Sequence, residues 1–125
     1  MSIQDLPPKA RELFERYEQL QQNVQSVLVQ KQQIDLEIIE IDKALAELEK
    51  SADDVKVYKS AGTVMVSSNK TDVIKDLTGS KDLANTKLSV LNKQEERLKE
   101  SIKEVQVKLD EEMKRNTGIT GTNTQ

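Results

Sequence analysis

Two apolar stripes of equal length, one on either side of a short turn-bearing segment, constrain this chain more than anything else in it. Stepping alternately by four and three residues from Leu13 meets Leu13, Tyr17, Leu20, Val24, Val27, Lys31, Ile34, Ile38, Ile41, Leu45 and Leu48, of which only Lys31 is polar. The same walk from Ile74 meets Ile74, Leu77, Lys81, Ala84, Leu88, Leu91, Glu95, Leu98, Ile102, Val105 and Leu109, interrupted only by Lys81 and Glu95. A 3.5-residue repeat sustained over about five heptads marks a coiled-coil seam rather than a helix packed in a globule. Because the stripes match in length, the chain can fold back and zip against itself. The fold class is therefore mainly α: a long antiparallel two-helix coiled coil.

Composition agrees with a thin body. Only 2% of the 125 residues are aromatic and 33% are charged, so the large rings that fill a compact core are missing. His, Cys and Trp are absent altogether. Histidine is the usual general acid–base and metal ligand, and cysteine the usual thiol nucleophile or zinc ligand. Their absence removes most hydrolytic, redox and zinc chemistry, and the expectation is no enzyme, no cofactor and no metal. Nineteen basic and 22 acidic residues are interspersed, for a net charge of −3, without the basic block of a nucleic-acid binder. The longest apolar run is far short of a membrane span, and Met1 to Ala10 lacks the apolar core of a secretory signal. Without cysteines nothing points to an oxidising compartment, and the chain reads as cytoplasmic.

Along the chain, residues 1–7 read as a loose N-terminus. Pro7-Pro8 suits a helix start, where the missing N–H has no partner to lose. Between Lys9 and Ala61 there is neither Gly nor Pro, so helix 1 spans 8–50. Ser51-Ala52-Asp53-Asp54 then breaks the heptads. The next segment, 55–67, switches to alternating β-branched runs, Val55 to Lys59 and Thr63 to Ser67, around the three-residue loop Ser60-Ala61-Gly62. That pattern predicts a single β-hairpin with Gly62 left-handed and with Val57, Val64 and Val66 buried. An isolated hairpin is marginal in water, and its unpaired edges invite another strand, so it is expected to oligomerise. Asn69 or Thr71 caps helix 2 over 70–115, whose early turns contain Gly79 and other poor helix formers. Residues 116–125, rich in Thr, Gly and Asn, read as a disordered tail.

Antiparallel pairing puts Leu48 opposite Ile74 and Leu13 opposite Leu109, so both patterns begin and end together. On that register Lys31 and Glu95 lie one layer apart. They either pin the register from inside the seam or snorkel outward with little energetic effect. Lys81 sits near Asp42 and Glu37 and reads as a solvated flank.

Folding back also gathers both chain ends at the end opposite the hairpin. Leu6, Ala10, Leu13, Phe14 and Tyr17 arrive from one side, with Leu109 and Met113 from the other; Ile3 and Ile119 are nearby. Phe14 lies off the seam, where a two-helix coil has no third layer to cover it. Either these residues form an adaptable apolar contact for a partner, or Phe14 folds over Met113 to close the coil.

The order of long helix, the segment Val57-Tyr58-Lys59-x-x-Gly62-Thr63-Val64-Met65-Val66 and matched long helix resembles the prefoldin family, and more narrowly its archaeal β-type subunit, which carries one hairpin rather than two. The likeness covers residues 5 to 115, is most specific in the hairpin, and includes the proline pair; Gly79 departs from the expected charge-rich pattern. It implies a heterohexamer of two α-type and four β-type subunits whose hairpins join in a β-barrel body. It also implies ATP-independent capture of unfolded polypeptide at the coiled-coil tips, with transfer to a group II chaperonin. In those terms Val57, Tyr58, Gly62, Val64, Met65 and Val66 serve oligomerisation, while Leu6, Ala10, Leu13, Phe14, Tyr17, Leu109 and Met113 form the client-binding tip. The rival reading is a structural coiled-coil adaptor or spacer without chaperone activity, which gives the hairpin no role beyond turning the chain.

Overall fold

The computed structural model describes residues 3–124, with side chains from 4 through 115. A single 3-10 turn, Ile3–Asp5, precedes helix α1, Pro8–Lys50; strands β1, Val57–Ala61, and β2, Val64–Ser68, follow, and helix α2, Lys70–Thr124, completes the chain. The 3-10 turn replaces the loose start expected of residues 1–7. Leu6, one heptad before Leu13, is half-buried, so the stripe begins earlier than the helix does. Met1 and Ser2 of that segment lie outside the described residues.

Local chemistry sets the helix ends. The Pro7 carbonyl accepts the first intrahelical bond from the Arg11 N–H at 2.9 Å, and Pro8 occupies the first turn with no donor to lose. At the other end of α1 the Ser51 hydroxyl donates to the Glu47 carbonyl at 2.9 Å, and the chain turns through Ala52, whose carbonyl accepts from Val55 N–H at 3.1 Å. Lys70, in the first turn of α2, donates its ammonium to the Ser51 carbonyl at 2.8 Å and lies 3.5 Å from Asp53. A cation against the carbonyl end of a helix is favourable, and here it ties α1's exit to α2's entry. Asn69 is the α2 cap: its Oδ1 accepts from the Asp72 N–H at 2.9 Å, while its Nδ2 donates to the Asp72 carboxylate at 2.8 Å.

Every position of both stripes is buried or half-buried, including Lys31, Lys81 and Glu95. Two compact units divide the chain: Met1–Val29 with Asn92–Gln125, and Gln30–Leu91. In the first, Leu20 and Val24 of α1 pack with Ile102 and Val105 of α2, flanked by Leu13, Tyr17, Leu28 and Leu98. Lys9 lies 3.5 Å from Glu112, within one residue of the register set by Leu13 opposite Leu109. In the second unit the buried positions are Ile41, Val73, Ala84 and Leu91, and Lys81 Nζ sits 2.7 Å from Asp42. Lys81 is thus a half-exposed seam flank neutralised across the pair. α2 runs unbroken through Gly79, an exposed helical position. Thr86 fits the helix by returning its hydroxyl to the Asp82 carbonyl at 3.0 Å.

Two expectations are corrected. The hairpin loop is two residues, Gly62-Thr63, because Ala61 pairs with Val64. Among the described residues only Gly62 has positive φ, 63°, which places glycine at the first central position of a II′-type turn and shifts the ladder to run from Val57 with Ser68 to Ala61 with Val64. The second concerns the C-terminal segment, expected to be disordered over 116–125. α2 continues to Thr124, since extending an existing helix adds a backbone bond per residue without a new nucleation cost. Gln125 lies outside the described residues, and the side chain of Ile119 is likewise not described.

Candidate functional site

Two surfaces collect the residues that sequence reasoning singled out, and each lies within one compact unit. The hairpin belongs to the second. The antiparallel register pairs Val57 with Ser68, Lys59 with Val66 and Ala61 with Val64, so these share one face; Tyr58, Ser60, Met65 and Ser67 share the other. Val57 is half-buried and Lys59 forms an ion pair with Asp76 of α2, which places the first face on the α2 side. Val64 and Val66, expected to be buried, are not: Val64 is 57% and Met65 64% exposed, with Tyr58 and Val66 close behind. The reason is geometric. A two-stranded sheet has one layer, and α1 and α2 reach only its base, at Val57 and Lys59. What remains is an apolar strand, Val64-Met65-Val66, that the described residues leave exposed on both faces.

Beside β1 lies an open groove of about 430 Å³ between the hairpin and the two helices, floored by Ala44, Leu48, Val73 and Leu77 and rimmed by Tyr58 and Lys59. The heptad reading assigned Leu48 and Leu77 to the seam and gave Ala44 and Val73 no part. Lys59 carried a signal that went unused, as a long cation amid β-branched residues at a strand position facing the helices.

The first unit holds the other surface. Ala10 is completely buried, which corrects its assignment to the client-binding set: it continues the stripe between Leu6 and Leu13 and points inward. Leu6, Leu13, Phe14, Tyr17 and Leu109 are half-buried and Met113 is exposed. Phe14 and Tyr17 form a tilted ring pair with centroids 6.5 Å apart, and the Tyr17 hydroxyl accepts from Gln21 Nε2 at 3.0 Å. An open groove of about 440 Å³ exposes Leu13 between the charged rows Lys9, Glu12 and Arg16 of α1 and Lys108, Glu112 and Arg115 of α2. Glu112, whose side chain is only 12% exposed, holds Lys9 and Arg115 to one carboxylate oxygen, Arg115 Nη1 at 3.0 Å. Glu112 is the next step of the second stripe after Leu109, whereas Lys9 and Arg115 lie off the seam, so the heptads alone did not show that the three converge. The groove thus has a partly covered apolar floor between charges of both signs.

Of the seam pair, Glu95 lies in the first unit, 3.7 Å from Lys99 one turn on, while Lys31 is a half-buried residue of the second. Among the described residues no group of three or more His, Cys, Asp or Glu could hold a metal ion. Among them, too, no helix is long and apolar enough to cross a membrane.

The sequence pattern of the family described as Prefoldin subunit matches residues 11–116. The chain belongs to the prefoldin family. It is 39% identical to the prefoldin β subunit of Archaeoglobus fulgidus over 84% of its own length and 90% of that protein's. It is 40% identical to the Caldivirga maquilingensis β subunit, over 84% and 87%. The crystal structure of the prefoldin β subunit from Thermococcus strain KS-1 superposes with a TM-score of 0.78 at 34% identity, covering 86% of this chain and 95% of that one. The likeness to archaeal β-type prefoldin thus runs through both long helices and the single hairpin, and the chain is a prefoldin chaperone subunit.

Proposed function

We propose that this prefoldin chain assembles with an α-type partner as a heterohexamer of two α-type and four β-type subunits, its hairpin contributing to a β-barrel body. Val57, Tyr58, Gly62, Val64, Met65 and Val66 are the assembling residues. The observation that carries the reading is the uncovered apolar strand Val64-Met65-Val66, a surface that a subunit needs and a free-standing spacer does not.

The unit holding both chain ends captures unfolded polypeptide, through Leu6, Leu13, Phe14, Tyr17, Leu109 and Met113. Each such surface is small, so single contacts are weak; several around one assembly raise avidity by about 10²–10⁴ through effective concentration. Weak contacts also let a client leave stepwise, toward a group II chaperonin, with no nucleotide consumed. No histidine or cysteine is available for catalysis, and the role is binding in the cytoplasm rather than chemistry.

The deciding experiment is native mass spectrometry of the chain co-expressed with the α-type subunit of its own organism, followed by an aggregation assay with a denatured client. A 2:4 complex that suppresses aggregation without ATP supports the proposal. A complex that forms but leaves aggregation untouched removes the client-binding role. A chain that stays alone favours a structural adaptor or spacer.

A further inference from the structure

The groove that exposes Leu13 repeats one arrangement at two levels, and only one of them is complete. Lys9 and Arg16 are one heptad apart on α1, as Lys108 and Arg115 are on α2, and all four line the same flank of the seam. At the level nearer the chain ends, Lys9 and Arg115 converge on one oxygen of Glu112, at 3.5 and 3.0 Å. The carboxylate that joins them is the chain's own, supplied from the seam step after Leu109. At the inner level Arg16 and Lys108 are exposed, with Leu13 on the groove floor between them. Neither has a carboxylate within ion-pair distance among the described residues, although Glu12 and Glu111 line the groove at heptad positions farther from the seam. Two cations bordering one groove with no anion between them repel, and a carboxylate placed there relieves the repulsion.

We propose that Arg16 and Lys108 make this groove a carboxylate subsite, which selects apolar client segments that carry an Asp or Glu side chain. Glu112 is the template within the chain: one carboxylate held by a cation from each helix. The client's carboxylate takes the corresponding place between Arg16 and Lys108, and a neighbouring apolar side chain rests on Leu13. Charge-assisted hydrogen bonds from the guanidinium and the ammonium hold the acid, while the apolar floor adds a contact that a free acid lacks. A Lys or Arg at that place meets like charge and is disfavoured. Both cations are exposed, so each pair contributes modestly, and the subsite governs which segment is held more than how tightly clients bind in general. The inference rests on capture of unfolded polypeptide by this unit, and adds which segments are preferred.

The complex of this chain with the α-type subunit can be titrated into labelled, C-terminally amidated, disordered peptides and followed by fluorescence anisotropy. One peptide repeats the segment Leu-Phe-Glu-Leu between neutral spacers, and the other Leu-Phe-Gln-Leu. The Glu peptide is expected to bind about three- to tenfold more tightly, with the ratio approaching one as NaCl rises from about 0.05 M to about 0.5 M. Arg16→Gln with Lys108→Gln should bring the ratio to about one already at low salt. Arg16→Glu with Lys108→Glu should instead favour a peptide of Leu-Phe-Lys-Leu segments. Lys103→Gln with Lys114→Gln removes the same charge outside the groove and should keep the Glu preference. A wild-type complex that binds the Glu and Gln peptides equally, or a groove variant that keeps the preference, would overturn the inference and leave client capture standing. Binding that needs a free C-terminal carboxylate on the peptide would also overturn it, since a chain end rather than an acidic side chain would then be the ligand. A complex that holds none of the peptides would remove client capture itself, and this inference with it.

Discussion

Two glycines with equally open surroundings have opposite roles, and backbone geometry alone separates them. A Cβ built at Gly62 or at Gly79 meets nothing within 4 Å. Gly79 sits in a helix, where glycine costs about 1 kcal/mol relative to alanine, so Gly79→Ala should raise the thermal midpoint by a few degrees. Gly62 holds φ at 63°, a conformation that costs an L-residue about 1–2 kcal/mol, so Gly62→Val should destabilise the hairpin despite its higher strand propensity. Thermal unfolding followed by circular dichroism measures the first. Amide exchange of the β1–β2 ladder measures the second, with faster exchange expected. A Gly79→Ala chain that melted lower would mean that the helix needs glycine there for a contact made only in an assembly.

At the scale of elements, the junction between the hairpin and α2 is held by a few polar groups. Asn69 both accepts from the Asp72 amide and donates to its side chain, satisfying one of the open N–H groups of α2. Asn69→Ala should cost about 1 kcal/mol, visible as a lower urea midpoint at unchanged slope. Asn69→Asp should recover much of the loss, since an aspartate caps equally well, although it repels Asp72. The Lys59–Asp76 pair, about half-exposed on both partners, should contribute less: removing it by Asp76→Asn is expected to change chain stability by under about 1 kcal/mol. These groups orient the hairpin; the packed seam carries the stability.

For the whole molecule the predictions concern surfaces that the chain leaves open. The double variant Val64→Asp with Val66→Asp puts charge on side chains already in solvent, so the isolated chain should keep its helix content. Hetero-assembly with the α-type subunit should fail, as read by size-exclusion chromatography. An intact hexamer from that variant would exclude the hairpin as the assembling surface. Phe14→Ser combined with Met113→Ser should leave the complex intact but weaken client retention by about tenfold or more, because each weakened contact multiplies through avidity. Unchanged suppression of client aggregation would place capture elsewhere.

Much of this architecture was legible in the residues, because a heptad repeat reports its own burial. Stripe positions from Leu13 to Leu48 and from Ile74 to Leu109 are covered, and the stripes' equal length set the antiparallel register that Lys9–Glu112 and Asp42–Lys81 respect. The left-handed turn residue and the asparagine cap were equally local, and so equally readable. Other features depended on contacts between residues distant in sequence. Ala10 looked like tip surface until its small side chain proved enclosed, and Val64 and Val66 looked like core until the hairpin proved to project past its helices. Likewise, Ala44 and Val73 acquired a role only once β1 lay alongside them, and Glu112 only when Lys9 and Arg115 converged on one carboxylate. Sequence periodicity determines which side of an element is buried; what covers that side, and what is left uncovered, was decided by tertiary structure, because it depends on where the other elements end.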